Sequence, residues 1–228
     1  MVINNDNNNS IIVIDGADGV GKTTQIKLLK EKFNKCKFVK FPVYESNTGF
    51  LITKYLEGKF EDIFKDLNPL DRITKISMLY TMDRSVWFAT NYESYMPLIC
   101  DRYTTSNILH MSTLIIHNGG TMEDVYHYID YIEDLEYGKL NIPEPDLVIY
   151  LDAPTEQLIK NLKGTEQVLD IHEDESVFKN IESVKKGIIE YCGWKVVNCV
   201  NEFGMRSIED IHNDIVKIIS EYYDKKNK

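Results

Sequence analysis

The stretch I11-I-V-I-D-G-A-D-G-V-G-K-T-T24 decides the fold of this chain. Its first four residues are apolar and β-branched, and such a run bounded by turn residues is typical of a strand buried on both faces. Residues 16–23 fit the pattern G-x-x-x-x-G-K-[ST]. Apolar residues then recur at helical spacing over residues 26–33. The stretch therefore predicts a strand, a glycine-rich turn and an amphipathic helix.

This glycine-rich turn has the chemistry of a phosphate site. Glycines let the backbone curl so that its N–H groups surround a phosphate chain, and the helix N-terminus adds partial positive charge. We expect Lys22 to reach the terminal phosphates and the hydroxyl of Thr23 to ligate Mg²⁺. The alternative, an ordinary glycine-rich β–α turn, is disfavoured by the flanking strand and helix. The predicted ligands of a nucleoside triphosphate are Gly16, Asp18, Gly19, Val20, Gly21, Lys22, Thr23 and Thr24.

The rest of the chain alternates strands with helices. Further strands are predicted at residues 37–41, 97–101, 147–151 and 194–198. Helices are predicted at residues 48–60, 69–95, 104–117, 121–138 and from residue 208 onward. This order predicts an α/β fold with a parallel sheet and helices on both faces.

Composition narrows the class of protein. With 228 residues, 43% hydrophobic and 27% charged, the chain is neither a disordered chain, a coiled coil nor a fibre. The net charge of −10 disfavours nucleic acid as a partner, and no apolar run approaches the ~20 residues that span a bilayer. Four cysteines without a C-x-x-C pair favour free thiols in a reducing, cytoplasmic setting.

Two polar segments interrupt this pattern. Residues 1–9 are rich in Asn and predict a disordered leader without the features of a signal peptide, followed by one domain over residues 10–225. The polar stretch 162–175 is the best candidate for a mobile lid, which we place at about residues 160–176.

Four further segments carry a family resemblance. They are F41-P-V-Y-E-S-N-T-G49, M78-L-Y-T-M-D-R84, L98-I-C-D-R-Y-T-T-S106 and P143-E-P-D-L-V-I-Y-L-D152. These segments occur together with the phosphate loop and the tail W194-K-V-V…S207-I-E-D-I-H. On all of them, the chain resembles thymidylate kinases of the P-loop nucleoside monophosphate kinase group, and it looks most like the eukaryotic and viral branch.

The resemblance implies a fold, a reaction and an assembly. The fold is a three-layer P-loop kinase with a five-stranded parallel sheet and a short lid over the phosphates. The reaction transfers the γ-phosphoryl group of ATP to dTMP with Mg²⁺, which requires alignment and charge neutralisation more than covalent catalysis. The implied assembly is a homodimer built from helices.

The resemblance also assigns roles to acceptor-side residues. Asp18 would contact the 3′-hydroxyl, Asp101 would lie near Mg²⁺ or its waters, and Arg102 would grip the acceptor phosphate. Tyr80 would stack on the base and Arg84 would face the base edge. The structural alternatives are a turn-stabilising Asp18, a helix-capping Asp101, helix packing by Tyr80 and a solvated Arg84. Phe41 and Ser106 complete the predicted substrate contacts, together with Tyr44 and Arg72.

Three positions depart from the family pattern. Tyr44 stands where the segment F-P-x-R has Arg, so Lys40 or Arg72 would have to substitute as a phosphate ligand. Gly19 stands where the eukaryotic branch has Arg in the loop. The lid has Lys160 and Lys163 but no Arg, and we take Lys163 as the catalytic candidate. These departures keep open a kinase of another deoxynucleotide or nucleoside, and a weakly active nucleotide-binding protein.

Overall fold

The computed structural model describes residues 10–154, 157–158 and 175–226. Over residues 175–183 it describes the backbone alone. The predicted leader at residues 1–9 and the lid over residues 160–174, with Lys160 and Lys163, lie outside the described residues. Both remain predictions.

A parallel sheet runs through the middle of the domain. Within the described residues it has five strands, in the order β2-β3-β1-β4-β5, and every neighbouring pair is parallel. The strands are β1 (Ile11–Gly16), β2 (Lys37–Lys40), β3 (Leu98–Asp101), β4 (Leu147–Asp152) and β5 (Lys195–Asn198). All five predicted strands and the predicted fold class are confirmed.

Helices cover both faces of this sheet. They are α1 (Lys22–Lys32), α2 (Asn47–Leu56), α3 (Glu61–Phe64), α4 (Pro69–Asn91), α5 (Thr104–His117), α6 (Met122–Glu133), α7 (Glu175–Cys192) and α8 (Ile208–Lys226). Among these described helices, none is long and apolar enough to cross a bilayer.

The strand β1 shows why the apolar run at residues 11–14 makes a three-layer fold. Successive strand side chains point to opposite faces, so alternate residues enter different cores. Ile11 and Val13 pack in the core formed with α4, α5 and α6. Ile12 and Ile14 pack in the core formed with α1 and α8. The strand is therefore buried on both faces, as its composition predicts.

The structure differs from the predicted elements mainly at their ends. The helix predicted over 48–60 ends at Leu56, because Gly58 adopts a left-handed backbone with φ 75° and the short α3 follows. The helix predicted over 121–138 is α6 followed by a π-helical segment, Asp134–Lys139. A small hairpin of β6 (Val200–Asn201) and β7 (Gly204–Met205) was not predicted, because two-residue strands have no measurable periodicity.

The topology brings the sequence motifs to one edge of the sheet. Gly16, Lys40 and Asp101 are the last residues of β1, β2 and β3, which are neighbours in the sheet. Ligands of open parallel sheets bind outside the carboxyl ends of the strands. The three motifs thus meet where such a ligand would lie.

Candidate active site

A cavity of about 780 Å³ opens at the carboxyl ends of β1, β2 and β3. Of the predicted site residues that the structure describes, all but Arg72 line it, and Lys163 lies outside the described residues. The lining set is Gly16, Asp18, Gly19, Val20, Gly21, Lys22, Thr23, Thr24, Phe41, Tyr44, Tyr80, Arg84, Asp101, Arg102 and Ser106.

The loop from β1 to α1 needs its glycines. A Cβ on Gly16, which has φ 149°, would lie 2.5 Å from the carbonyl oxygen of Leu151 on the neighbouring strand. Gly21 caps α1 in a left-handed conformation with φ 97°. Gly19 also has a positive φ of 81°, a region that residues with a side chain rarely adopt. The loop conformation therefore favours glycine at position 19, where the resemblance implies Arg.

Lys22 begins α1 and is turned back over this loop. Its ammonium donates hydrogen bonds to the carbonyl oxygens of Gly16 (2.5 Å) and Ala17 (3.0 Å) and to Oδ1 of Asp18 (3.2 Å). The side chain is only 6% exposed. Burial lowers the pKa of Lys22 and the nearby Arg102 lowers it further, while Asp18 opposes the shift. The ammonium is thus held at the loop, buried and paired with Asp18.

Arg102 follows β3 in a strained backbone conformation. Its φ of 67° is in the left-handed region, and its N–H donates to the carbonyl oxygen of Ile14 at 3.1 Å. Nη2 of its guanidinium donates a hydrogen bond to Oδ1 of Asp18. Burial acts to lower the pKa of Arg102, but the surrounding carboxylates raise it overall. Asp18 bridges Arg102 and Lys22, so it does more than stabilise its own turn.

Asp101 is buried at the end of β3, only 5% exposed. Its Oδ1 is buried and has no hydrogen-bond partner. The helix-capping interpretation is wrong, because Tyr103 occupies the cap position of α5 and no side chain caps that helix end. Burial raises the pKa of Asp101, against the lowering effect of Lys22 and Lys40. A buried carboxylate oxygen without a partner suits a cation or an ordered water.

Asp15 ties the phosphate loop to α5 and was not predicted as a site residue. It is 1% exposed and accepts hydrogen bonds from the backbone N–H of Gly16 (2.7 Å) and from the hydroxyl of Ser106 (2.8 and 2.9 Å). The hydroxyl of Thr105 donates to it as well. Ser106 lines the cavity but donates its proton to Asp15, so it can offer a substrate only acceptor lone pairs.

The helix α4 supplies the other end of the cavity. Tyr80 is partly buried against the core and Arg84, one turn later, is 2% exposed. The solvated-charge interpretation of Arg84 is therefore wrong. Its Nε donates to Oε2 of the buried Glu136 at 2.8 Å. The helix-packing reading of Tyr80 is only partly right, since this side chain also lines the cavity.

Asn107 is a cavity residue that the sequence reasoning missed. Its Nδ2 donates to Oγ of Ser77 at 3.1 Å, while its buried Oδ1 has no partner. The residue follows Ser106 directly, so its position beside the predicted contacts was the available signal. Its orphaned acceptor, by contrast, is a tertiary feature that the sequence does not display.

Tyr44, Lys40 and Arg72, the residues considered where the segment F-P-x-R has Arg, do not all lie at the cavity. Tyr44 lines the cavity and is 43% exposed. Lys40 also lines it and is the register partner of Asp101 in the neighbouring strand. Arg72 lies exposed in the first turn of α4 and is not part of the cavity lining, so the structure does not support it as a substitute.

The far wall of the cavity comes from β7, the residue after it and the first turn of α8. Met205, Arg206, Ile208 and Ile211 line it there. The guanidinium of Arg206 donates to the carbonyl oxygen of Asn198 (2.6 Å) and to Asp214 (2.7 Å), which fixes its plane. The cavity therefore reaches from this segment, across the phosphate loop, to Tyr80 and Arg84.

The family model for thymidylate kinase matches residues 14–215. The chain belongs to the thymidylate kinase family. The thymidylate kinase of Plasmodium falciparum is 28% identical over 218 residues, covering 92% of this chain and 89% of that protein.

Solved structures agree in fold with this assignment. A thymidylate kinase structure from Candida albicans has a TM-score of 0.68 at 20% identity and covers 93% of this chain and 91% of its own. A deoxyadenosine kinase structure from M. mycoides has a TM-score of 0.61 at 20% identity, covering 92% and 99%. As a thymidylate kinase family member, the chain is a phosphotransferase of the nucleoside monophosphate kinase type that uses ATP as co-substrate.

Proposed function

We propose that the cavity holds ATP and dTMP end to end and aligns the γ-phosphoryl group of ATP with the 5′-phosphate of dTMP. The observation that carries this proposal is the single cavity that joins the phosphate loop to Tyr80, Arg84 and Asn107. Phosphoryl transfer depends on alignment of the two phosphates and on compensation of their charge. One cavity that holds both nucleotides can provide the two.

The phosphates of ATP would bind along the loop. Backbone N–H groups of residues 16–21 and the N-terminus of α1 would surround them. Lys22 would exchange the carbonyl oxygens it now contacts for the β- and γ-phosphates. The adenine would lie against Met205 and the fixed guanidinium plane of Arg206, since a thioether and a guanidinium both pack well on flat rings.

Mg²⁺ fits the oxygen donors at the loop. The hydroxyl of Thr23 is exposed in the cavity and Oδ1 of Asp101 has no hydrogen-bond partner. Hydroxyl, carboxylate and phosphate oxygens are the ligands that this ion prefers. When bound, it would neutralise charge on the transferring phosphoryl group, with Thr23 a direct ligand and Asp101 holding the ion or its waters.

Arg102 and Lys40 would bind the acceptor phosphate. Arg102 is aimed into the cavity at the end of β3 and Lys40 lies beside it at the end of β2. Asp18, which now holds Arg102, would turn to the 3′-hydroxyl of the acceptor once a phosphate takes its place. Lys40 would thus replace the arginine that Tyr44 displaces, with Lys163 as the proposed lid cation.

Thymine fits the polar groups at the α4 end of the cavity. Arg84 can only donate, which suits the carbonyl oxygen at position 4, and the unpartnered Oδ1 of Asn107 suits the N–H at position 3. Cytosine reverses both groups and would leave unpaired donors and acceptors, at about 1–3 kcal/mol each. Guanine offers the same donor and acceptor as thymine, so dGMP is the competing acceptor to test.

An ADP-release assay with ATP, over the common nucleoside monophosphates, tests this function. We expect dTMP to be the best acceptor, dUMP or dGMP to be weaker and dCMP to be near zero, with loss of activity when EDTA removes Mg²⁺. ADP release with a nucleoside but not with a monophosphate would support a nucleoside kinase. ATP binding without any turnover would support a catalytically weak nucleotide-binding protein.

A homodimer in the cytoplasm is the setting we propose for this activity. Exposed apolar side chains on the neighbouring helices α2 and α4, among them Leu51, Met82 and Val86, support a helical interface between two copies. Cys36, Cys100, Cys192 and Cys199, the cysteines of the described residues, are all unbridged, which supports a reducing compartment. Sedimentation of the purified protein, beside a Val86→Glu variant, tests the dimer.

A further inference from the structure

A buried carboxylate holds Arg84 at the end of the cavity. Glu136 is fully buried and Arg84 is 2% exposed. Nε of Arg84 donates to Oε2 of Glu136 at 2.8 Å, and Nη2 donates to Oε1. Two threonine hydroxyls complete the set: Thr81 donates to Oε1 at 2.7 Å and Thr104 to Oε2 at 2.6 Å. Each carboxylate oxygen therefore accepts two hydrogen bonds, and Glu136 has little freedom to move.

Three separate elements converge on this carboxylate. Glu136 lies in the π-helical segment that extends α6, and its carbonyl oxygen accepts a hydrogen bond from the N–H of Ile142 at 2.8 Å. Thr81 lies on α4 three residues before Arg84, hence on the same helical face. Thr104 opens α5, directly after the D-R-Y motif.

Stability alone does not account for this pair. Burying two charges costs desolvation energy, and a pair of apolar side chains of similar size is often as stable or more so. Burial acts to lower the pKa of Arg84, and Glu136 outweighs it, so the guanidinium stays charged. The charge is kept, paired and fixed at a position that lines a ligand cavity.

The pairing determines what Arg84 can offer a ligand. A guanidinium has five N–H donors in one plane, and Glu136 takes two of them along one edge. The remaining donors include both on Nη1, on the edge away from the carboxylate. Because Glu136 cancels the charge, this edge donates hydrogen bonds without the net charge that would attract a second phosphate.

We propose that Glu136 is a positioning residue for base recognition, which orients Arg84 and cancels its charge so that the guanidinium donates to a nucleobase carbonyl. The inference rests on the proposed function, since it concerns the acceptor side of the same cavity. Glu136 itself touches no substrate in this proposal, and its effect reaches the ligand through Arg84 alone.

The test compares Glu136→Gln with the wild-type protein, using dTMP and dCMP as probes in calorimetric binding and in ADP release. The amide nitrogen of Gln would face a guanidinium donor, so Arg84 would lose its orientation and its charge balance. We expect the preference for dTMP over dCMP to fall by about tenfold or more, with the loss in KM rather than in kcat. Inorganic pyrophosphate should also compete better with dTMP.

A matched control separates positioning from stability. Asp152 pairs with the buried Lys185 at 2.6 Å and does not line the cavity, so Asp152→Asn breaks a partly buried ion pair elsewhere. This variant should lose thermal stability and keep the base preference. Glu136→Asp, which keeps the charge, should recover part of the preference that Glu136→Gln loses.

Thr81→Val decides the matter if Glu136→Gln does not fold. It removes one hydrogen bond to Glu136, leaves all charges in place and lies outside the cavity lining. We expect a smaller loss of base preference, about threefold. An unchanged dTMP-to-dCMP preference in a folded Glu136→Gln protein, or otherwise in Thr81→Val, overturns the assignment. If the wild-type protein shows no turnover on dTMP, the proposed function is contradicted. The ratio of the calorimetric affinities for dTMP and dCMP then still tests the role of Glu136.

Discussion

Removing the ammonium of Lys22 is the most direct test of the phosphate loop. In the structure this group donates three hydrogen bonds, two to loop carbonyl oxygens and one to Asp18, at 2.5 to 3.2 Å. With ATP bound, those donors would face the β- and γ-phosphates. Loss of one such donor at a reacting oxyanion costs about 2.7–4 kcal/mol, or about 10²–10³-fold in kcat. We therefore expect Lys22→Ala to lose at least two orders of magnitude in turnover.

The fold should survive this change. Asp18 keeps Arg102 as its partner, and the loop keeps the glycine backbone that shapes it. Burial already lowers the pKa of Lys22, so part of its interaction energy is offset by desolvation. We expect a loss of about 1 kcal/mol or less, a shift in Tm of about 2–4 °C for a chain of this length.

The assay is ADP release with dTMP as acceptor, with thermal melting of the same preparations. Lys37→Ala is the matched control: this lysine donates to the carbonyl oxygen of Asn91 and to Glu93, outside the cavity lining. The control should keep wild-type turnover. A folded Lys22→Ala protein with turnover within about tenfold of wild type would refute the role of this lysine at the phosphates.

Three further predictions address other parts of the site. Tyr44→Arg should lower the KM for dTMP by restoring a bidentate phosphate ligand, and Lys40→Met should raise that KM. If steady-state kinetics leave the KM for dTMP unchanged in both variants, Tyr44 and Lys40 do not belong to the acceptor site. Asp101→Asn should raise the Mg²⁺ concentration that gives half-maximal activity, measured by metal titration, because the amide no longer offers an ionised oxygen. Burial raises the pKa of Cys36 to about 11, so at pH 8 only about one thiol in a thousand is ionised. Thiol labelling of Cys36, followed by mass spectrometry, should therefore be slow until the protein unfolds or the pH rises toward that value. Rapid labelling of the native protein would contradict this burial.

Much of the site could be predicted because its residues lie at the ends of strongly patterned elements. The run at residues 11–14 and the glycine loop after it locate the phosphate site within one local segment. Asp101 is the last residue of β3 and Arg102 comes directly after it, so the strand pattern also places them. The interpretations that failed are of another kind. A solvated Arg84 and a helix-capping Asp101 are reasonable local structures, and tertiary contacts exclude both.

The sequence by itself determined the α/β class, the order of the strands and helices, and the loop that binds phosphate, because each depends on residues close together in the chain. The tertiary structure decided which charges pair. Glu136 meets Arg84 across 52 positions, and Arg102 meets Asp18 across 84. Neither pairing has a local pattern, since a carboxylate and a guanidinium attract wherever the fold brings them together and excludes water. The same is true of the unpartnered oxygens of Asp101 and Asn107, which become informative only once the surrounding side chains are in place.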